Sequence, residues 1–339
     1  MISRKKAVFF GELLMRLGTK RHERFVQANE FTVGFTGAEA NAAVSLVNFG
    51  MDAYVVSSVP DNEIGQACIN YIRRFGVNTD HIKRAGARLG TFYLETGASQ
   101  RPSKVIYDRT GSSITELKVG EIDWDGIFQG KDWFHFCGTA PALADSVAEV
   151  VKEACRCAKA CGLTVSCDLN YRRKLWSADK AGRVMTELMD FVDVFIANEE
   201  HSREIFGIEA HGTGKAPVER GEDVARRLCD RFGLRYCAIT CREGRSASDT
   251  TWSAVLCDGS TCYRSRQYQI HVVDRVGGGD AFSGALIYGL LSGMAPDETV
   301  EFAAAASCLK HAVHGDFNLV SADEVRALMA GDGAGRVQR

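Results

Sequence analysis

Six short apolar runs, separated by longer amphipathic stretches, constrain this chain more than any single motif does. Residues 7–10, 53–59, 133–137, 163–169, 192–197 and 236–240 are mostly apolar from end to end instead of alternating, as in strands buried on both faces. Between them the spacing predicts helices over residues 39–49, 64–75, 146–161, 178–191 and 222–232. Gly50, Gly76, Gly162 and Gly233 follow such stretches, where a helix end commonly needs a left-handed residue. Strand, helix and strand repeated this often specify an α/β fold with a doubly wound, mainly parallel sheet flanked by helices. Ligands of such sheets collect at the carboxyl ends of the strands, where Asn170, Asn198 and the glycine-rich stretch at 277–279 fall.

Two segments break the rhythm. Residues 13–36 and 88–110 hold short alternating pieces with no helix between them, and a small β-sheet lying as a lid over the ligand crevice is the expected result. In Lys104-Val-Ile-Tyr-Asp-Arg109 the period of two puts Val105, Tyr107 and Arg109 on one face and Ile106 with Asp108 on the other. A ring and a guanidinium on one side suit a ligand, although a solvated edge hairpin has the same pattern. Phe31, Phe35, Phe92 and Tyr93 would be poorly covered by one small sheet, so two lids are expected to pack together in a homodimer.

The 41 basic and 43 acidic residues nearly balance, and no basic block stands out, which disfavours nucleic acid and anionic membranes as partners. Arg4, Lys5 and Lys6 precede an apolar stretch, but Gly11, Glu12 and Arg16 interrupt it before an export signal forms, so a cytoplasmic protein is expected. No run is long enough to span a bilayer. The twelve cysteines scatter singly, with no Cys-x-x-Cys pair, and reduced, mostly buried thiols follow. Of Cys155, Cys157 and Cys161 on one predicted helix, only the last two share a face. Residues 1–330 read as one domain, and the Gly- and Arg-containing tail 331–339 as disordered.

Chemistry concentrates in Asp274-Arg-Val-Gly-Gly-Gly-Asp280, which runs into the apolar stretch Ala-Phe-Ser-Gly-Ala-Leu. Gly277, Gly278 and Gly279 let backbone amides approach a ligand closely, and a helix starting near Asp280 adds the positive end of its dipole. A phosphate suits that place. Asp280 has no obvious basic partner and would repel the same anion, so its simplest use is to hold the hydroxyl that attacks a phosphoryl group; the alternative is a helix cap. A dinucleotide-dependent oxidoreductase would need its glycines after the first strand, and here they lie near the C-terminus, with Phe282 in the sixth position of the run.

Two stretches, Gly37-Ala-Glu-Ala-Asn41-Ala-Ala and Asp274-x-x-Gly277-Gly-Gly-Asp280-Ala-Phe, resemble in order and spacing the two signature regions of the ribokinase-like (PfkB) carbohydrate kinases. The resemblance covers essentially the whole chain. It implies ATP-dependent phosphorylation of a sugar alcohol group, with magnesium bridging the β- and γ-phosphates. It also implies Asp280 as the base, the amides of Gly277, Gly278 and Gly279 as the anion hole, and Asn198 and Thr240 on the nucleotide side. Within the family, Asp168-Leu-Asn170-Tyr-Arg172-Arg-Lys-Leu-Trp176 together with Tyr107-Asp-Arg109 is most similar to kinases of 2-keto-3-deoxygluconate. That similarity implies 2-keto-3-deoxy-6-phosphogluconate as the product and a sugar pocket of Gly37, Asn41, Tyr107, Arg109, Arg172 and Asp316.

A physical reason stands beside the narrower resemblance. Strand spacing would point Asp168, Asn170 and Arg172 the same way, and a guanidinium in the crevice holds a substrate carboxylate through two parallel hydrogen bonds. A neutral sugar, fructose or ribose, has no group needing two arginines, so a neutral-sugar kinase is the alternative, with a non-catalytic sugar-binding protein behind it. Three departures from the family pattern have expected effects. His201 stands where Asn-x-x-Glu usually supplies a glutamate; either Glu199 or Glu200 takes over an outer-shell role through water toward magnesium, an ion that prefers oxygen to imidazole, or metal and phosphate control is altered. Thr240-Cys-Arg-Glu-Gly244 replaces a common Thr-x-Gly turn, so nucleotide contacts are expected to differ. Gly278 replaces a more usual alanine and is expected to change flexibility more than chemistry.

Overall fold

The computed structural model describes residues 4–212 and 215–331. Its main sheet has ten strands, and the apolar runs form its centre. The order is β13 (Cys262–Arg264), β12 (Asp249–Cys257), β11 (Tyr236–Gly244), β10 (Val194–Ala197), β9 (Thr164–Asp168), β8 (Trp133–Cys137), β1 (Lys6–Phe10), β4 (Asp52–Val59) and β5 (Ile82–Arg84), and β14 (Tyr268–His271) also pairs with β12. From β11 to β5 every neighbouring pair is parallel, whereas β12 turns back antiparallel on β11.

Side chains of one strand feed two different cores, which is why these runs are apolar throughout. Ala7 and Phe9 of β1 pack on the side that holds α1 (Ala38–Asn48), α2 (Glu63–Arg73), α8 (Gly278–Ser292), α9 (Pro296–Lys310) and α10 (Ala322–Met329). Val8 and Phe10 pack on the opposite side with α3 (Trp124–Phe128), α4 (Asp145–Ala160), α5 (Ala178–Met189), α6 (Glu199–Phe206) and α7 (Pro217–Phe232). Gly50, Gly76, Gly162 and Gly233 all adopt positive φ, as their places after helices predict. Helix α7 starts one turn earlier than the periodicity suggests, because Pro217 occupies its first turn, where a missing N–H costs nothing.

The lid segments form a separate sheet in the order β3 (Thr32–Thr36), β2 (Leu14–Gly18), β6 (Gly90–Glu95), β7 (Lys104–Asp108). One register row crosses all four strands as Val33, Leu17, Tyr93 and Ile106; a neighbouring row runs Gly34, Arg16, Phe92 and Tyr107, and pleating puts the two on opposite faces. The second row faces the cleft, where Phe92 and Tyr107 line the wall. Two of the aromatics expected to lack cover are buried instead. Phe35 meets Tyr71 of α2 edge-on, and Phe92 packs with Leu14 and Leu94.

One further expectation is corrected and another falls outside the structure. Cys257 and Cys262, directly opposed across β12 and β13, form a disulfide, so not every thiol is reduced; the strand register places them face to face. Most of the other cysteines are buried. Strand β11 runs straight through residues 240–244 into its pairing with β12, so no turn interrupts it after Thr240. Among the described residues no helix is long and apolar enough to cross a membrane, and residues 332–339 of the expected disordered tail lie outside the description.

Candidate active site

The glycine turn sits at the head of α8, and each glycine is there for a different reason. Gly277 has φ 84°, and a Cβ on it would fall on the carbonyl oxygen of Asp316. A Cβ on Gly278 would run into the ring of His311, so packing as well as flexibility favours a glycine here. Gly279 has open space before it. The first bond of the helix ladder runs from the Ala281 N–H to the Gly277 carbonyl at 2.8 Å, leaving the amides of Gly279 and Asp280 outside it, while Gly278 N–H reaches back to Arg275 at a long 3.5 Å. An anion at this helix end meets free N–H groups and the positive end of the dipole.

Asp280 stands half-buried in the cleft wall and makes no ion pair among the described residues. Its Oδ2 accepts a 2.7 Å hydrogen bond from Asn41 Nδ2, and the amide is fixed in turn because Asn41 Oδ1 accepts from Thr36 Oγ1 at 2.8 Å. Loss of water pushes the Asp280 carboxyl up to about 6, against the Asn41 hydrogen bond and the positive charges of Arg172 and Lys310. At neutral pH it is therefore mostly ionised yet close enough to its pKa to exchange a proton. Asp168 and Glu39 share the site. Burial and then the Asp280 charge push Asp168 to about 7, and burial, chiefly, pushes Glu39 to about 8.

The expected residues Gly37, Asn41, Tyr107, Arg109, Asp168, Asn170, Arg172 and Asp316 all line one cleft of about 420 Å³ with the turn 277–279 and Asp280. Their arrangement corrects the sequence reasoning in three places. Strand β9 ends at Asp168 and Asn170 takes φ 31°, so Asn170 and Arg172 reach the cleft through a left-handed bend and not through strand spacing. Arg109 is already paired with buried Glu12, leaving Arg172 as the cleft guanidinium of the two with no carboxylate partner among the described residues. Asp316 gives one oxygen to Arg16, while its other oxygen, Oδ2, is buried without a partner among the described residues. A buried acceptor without a partner is one that a hydrogen-bond donor can satisfy.

A second cleft of about 530 Å³ lies beyond the turn and is lined by Asn198, Glu199, Glu200, His201, Arg220 and Thr240. Both clefts share Asp168, Asn170, Arg172, Arg242, Arg275 and Gly279, so they meet at the glycine turn. Asn198 caps α6 by accepting from the His201 N–H at 2.8 Å, and Thr240 Oγ1 donates to the Ala197 carbonyl at 3.3 Å. Glu199 pairs with Arg220 at 2.9 Å and Glu200 with Arg173 at 3.0 Å, so both carboxylates expected near magnesium are already engaged. Among the described residues no three His, Cys, Asp or Glu side chains gather to hold a metal ion. Among the described residues, the side chains present do not make a magnesium cage.

Sequence reasoning missed Arg16, Glu39, Arg242 and Arg275. Arg16 joins Asp274 at 2.8 Å and Asp316 from nearly the other end of the chain, a link that no local spacing reveals. Glu39 was legible as a carboxylate beside Asn41 at the start of α1, where its Oε1 accepts the Cys137 N–H at 3.0 Å.

A doubly wound sheet with a small second sheet walling a cleft, and a carboxylate set at a glycine turn, is the frame of a sugar-phosphorylating enzyme. Residues 4–322 match the profile of the pfkB family carbohydrate kinases, and the chain belongs to that family. It is 32% identical over 328 residues to a 2-dehydro-3-deoxygalactonokinase of Haloferax volcanii, covering 97% of this chain and 98% of the relative. The crystal structure of a 2-dehydro-3-deoxygluconokinase of Thermotoga maritima superposes with a TM-score of 0.94 at 44% identity, covering 97% of this chain and 99% of that one. A fructokinase of Xylella fastidiosa, solved with bound ATP, shares the fold alone, with a TM-score of 0.78 at 20% identity over 97% and 99% of the two chains.

Proposed function

We propose that this protein transfers the γ-phosphoryl group of ATP, supplied with magnesium, to the terminal hydroxyl of 2-keto-3-deoxygluconate, giving 2-keto-3-deoxy-6-phosphogluconate. The observation that carries the reading is the pairing, in one cleft, of an ionised Asp280 without a cationic partner and an Arg172 without a carboxylate partner. Arg172 supplies the fork for the sugar acid, and the open Oδ2 of Asp316 accepts a hydroxyl. Asp280, aimed by Asn41, holds the attacking hydroxyl and takes its proton late in the transfer. The amides at the head of α8 receive the charge that develops on the moving phosphoryl oxygens. Arg242 and Arg275, at the junction of the two clefts, stand where a polyphosphate would cross from one to the other. Asn198 and Thr240 belong to the nucleotide side, and Tyr107 with the Arg109–Glu12 pair forms the wall of the sugar side beneath the lid.

We also place residues 1–330 in one ribokinase-like unit, active as a homodimer joined through its lids and working in the cytoplasm, where ATP is supplied. The 4-epimer named for the Haloferax volcanii relative is the competing acid, and gluconate is favoured by the higher identity of the Thermotoga maritima structure. ADP release should be measured with both epimers, fructose and ribose for wild type and Arg172→Leu. Loss of the bidentate partner costs about 2–5 kcal/mol for the acid and little for a neutral sugar, so the ratio of kcat/KM between keto acid and fructose should collapse. Lysine should restore only part of it. An equal fall for both substrates would make Arg172 nucleotide-facing and remove the physical basis for an acidic substrate.

A further inference from the structure

Lys310 ends α9 with no exposed surface, and no carboxylate lies within salt-bridge reach of it among the described residues. Its ammonium donates instead to two backbone carbonyls, Asp274 at 3.2 Å and Val313 at 3.3 Å. A buried lysine held only by carbonyl dipoles is costly unless its charge serves something nearby. What lies nearby is the back of the glycine turn. Asp274 opens that turn, and the same end of α9 grips it at three other points: Ser307 Oγ donates to the Gly278 carbonyl at 2.7 Å, the His311 carbonyl accepts from Val273 at 2.9 Å and Asp274 at 3.2 Å, and the His311 ring covers Gly278. His311 donates from Nδ1 to the Ser307 carbonyl at 2.7 Å, and burial drops its pKa to about 4, so it adds no charge at neutral pH.

We propose that Lys310 is a positioning residue for phosphoryl transfer, a built-in cation that fixes the turn 273–279 from behind and biases both Asp280 and the transferring group electrostatically. The charged groups that act on the ammonium are Asp274, Arg16 and Asp280, and it in turn favours the ionised form of Asp280. Arg16 engages the Asp274 carboxylate, while Lys310 reaches the backbone carbonyl of the same residue; Arg172, from the cleft side, also acts on Asp280. Burial lowers the ammonium itself to about 8, which keeps it charged at neutral pH. The role lies outside the two clefts, since Lys310 lines neither.

The inference rests on the reading that this turn receives a phosphoryl group. Wild-type ADP release tests that reading, and the ratio of variant to wild type, on whichever sugar is phosphorylated, tests Lys310. Lys310→Met removes charge and donors at similar volume, and Lys310→Gln keeps an N–H donor without the charge. Both should lower kcat tenfold or more, leave the sugar KM within about twofold, and move the acid limb of the kcat profile to higher pH, because Asp280 loses a charge that favours its ionised form. Lys310→Arg should retain more activity than either. A Gln variant with wild-type kcat and an unmoved acid limb overturns the proposal, as does a loss that disappears on assay well below the variant's thermal midpoint. If neither neutral variant folds, the wild type carries the test: kcat must decline as pH rises past about 8, where the ammonium loses its proton, and a flat alkaline limb rejects the charge.

Discussion

At the residue scale, the acidity of Asp280 is set by a balance that can be tipped from one neighbour. Asp280→Asn keeps the hydrogen-bonding shape but cannot accept a proton, so kcat should fall on the order of 10²-fold or more while the sugar KM changes little. The base must be ionised in the free enzyme, so kcat/KM should fall as pH drops through about 6. Removing the Asn41 hydrogen bond takes away an interaction that holds that value down, and Asn41→Ala should shift the acid limb upward. A limb that stays in place in a pH series would show that Asn41 does not set the base. Two neighbouring glycines separate stability from chemistry. Gly278→Ala presses a methyl into the His311 ring and should cost about 1–3 kcal/mol by overpacking, read as a lowered denaturation midpoint. Gly279→Ala has room for its methyl and should fold normally, yet the methyl stands before the amides and should lower kcat. Equal thermal stability of the two variants would contradict the packing described for α9.

At the scale of elements, the central strands were legible because burial on both faces leaves a continuous apolar run, and five of the ten described helices, α1, α2, α4, α5 and α7, by the spacing of their apolar residues. Helix α8 was read from the glycine turn that opens it, but α9 was not legible, since residues such as Val300, Phe302 and Ala303 are buried around much of it and leave no periodic signal. The same limit hid half of the site. Local motifs show Asp280, Asn41 and Arg172, but the grip of Ser307, Lys310 and His311 on the turn, and of Arg16 on Asp274 and Asp316, exists only once α9 and β2 are docked. Arg16 belongs to the lid, and both its partners belong to loops that build the cleft, so it couples the lid to the turn. Arg16→Met would leave two buried carboxylates without their cation and should destabilise the protein by about 3–5 kcal/mol in chemical denaturation. Asp274→Asn with Asp316→Asn should offset part of that loss, because the uncompensated charges are then gone. If the triple variant is no more stable than Arg16→Met, the loss comes from packing and the electrostatic account of this link fails.

At the scale of the molecule, the lid has two faces with different obligations. Its inner row holds Arg16, buried against Asp274 and Asp316, with Phe92 and Tyr107, which line the cleft, whereas the row of Val33, Leu17, Tyr93 and Ile106 crosses the sheet on the other side. Val33 and Ile106 are each 54% exposed, and Phe31 remains 38% exposed even though it meets Tyr93 edge-on. An apolar row reaching both edges of a four-stranded sheet is a surface that a second lid can cover symmetrically. The burial of Phe35 and Phe92 removes two of the residues first expected there and narrows the patch to this row. Light scattering at micromolar concentration should therefore give twice the chain mass, and Ile106→Glu, which puts a charge into the contact, should give monomers. Because each lid would brace the other, the monomeric variant should show a raised KM for the sugar with a smaller change in kcat. A monomeric wild type, or an Ile106→Glu protein that remains dimeric, would place the assembly surface elsewhere and leave the exposed row without a partner.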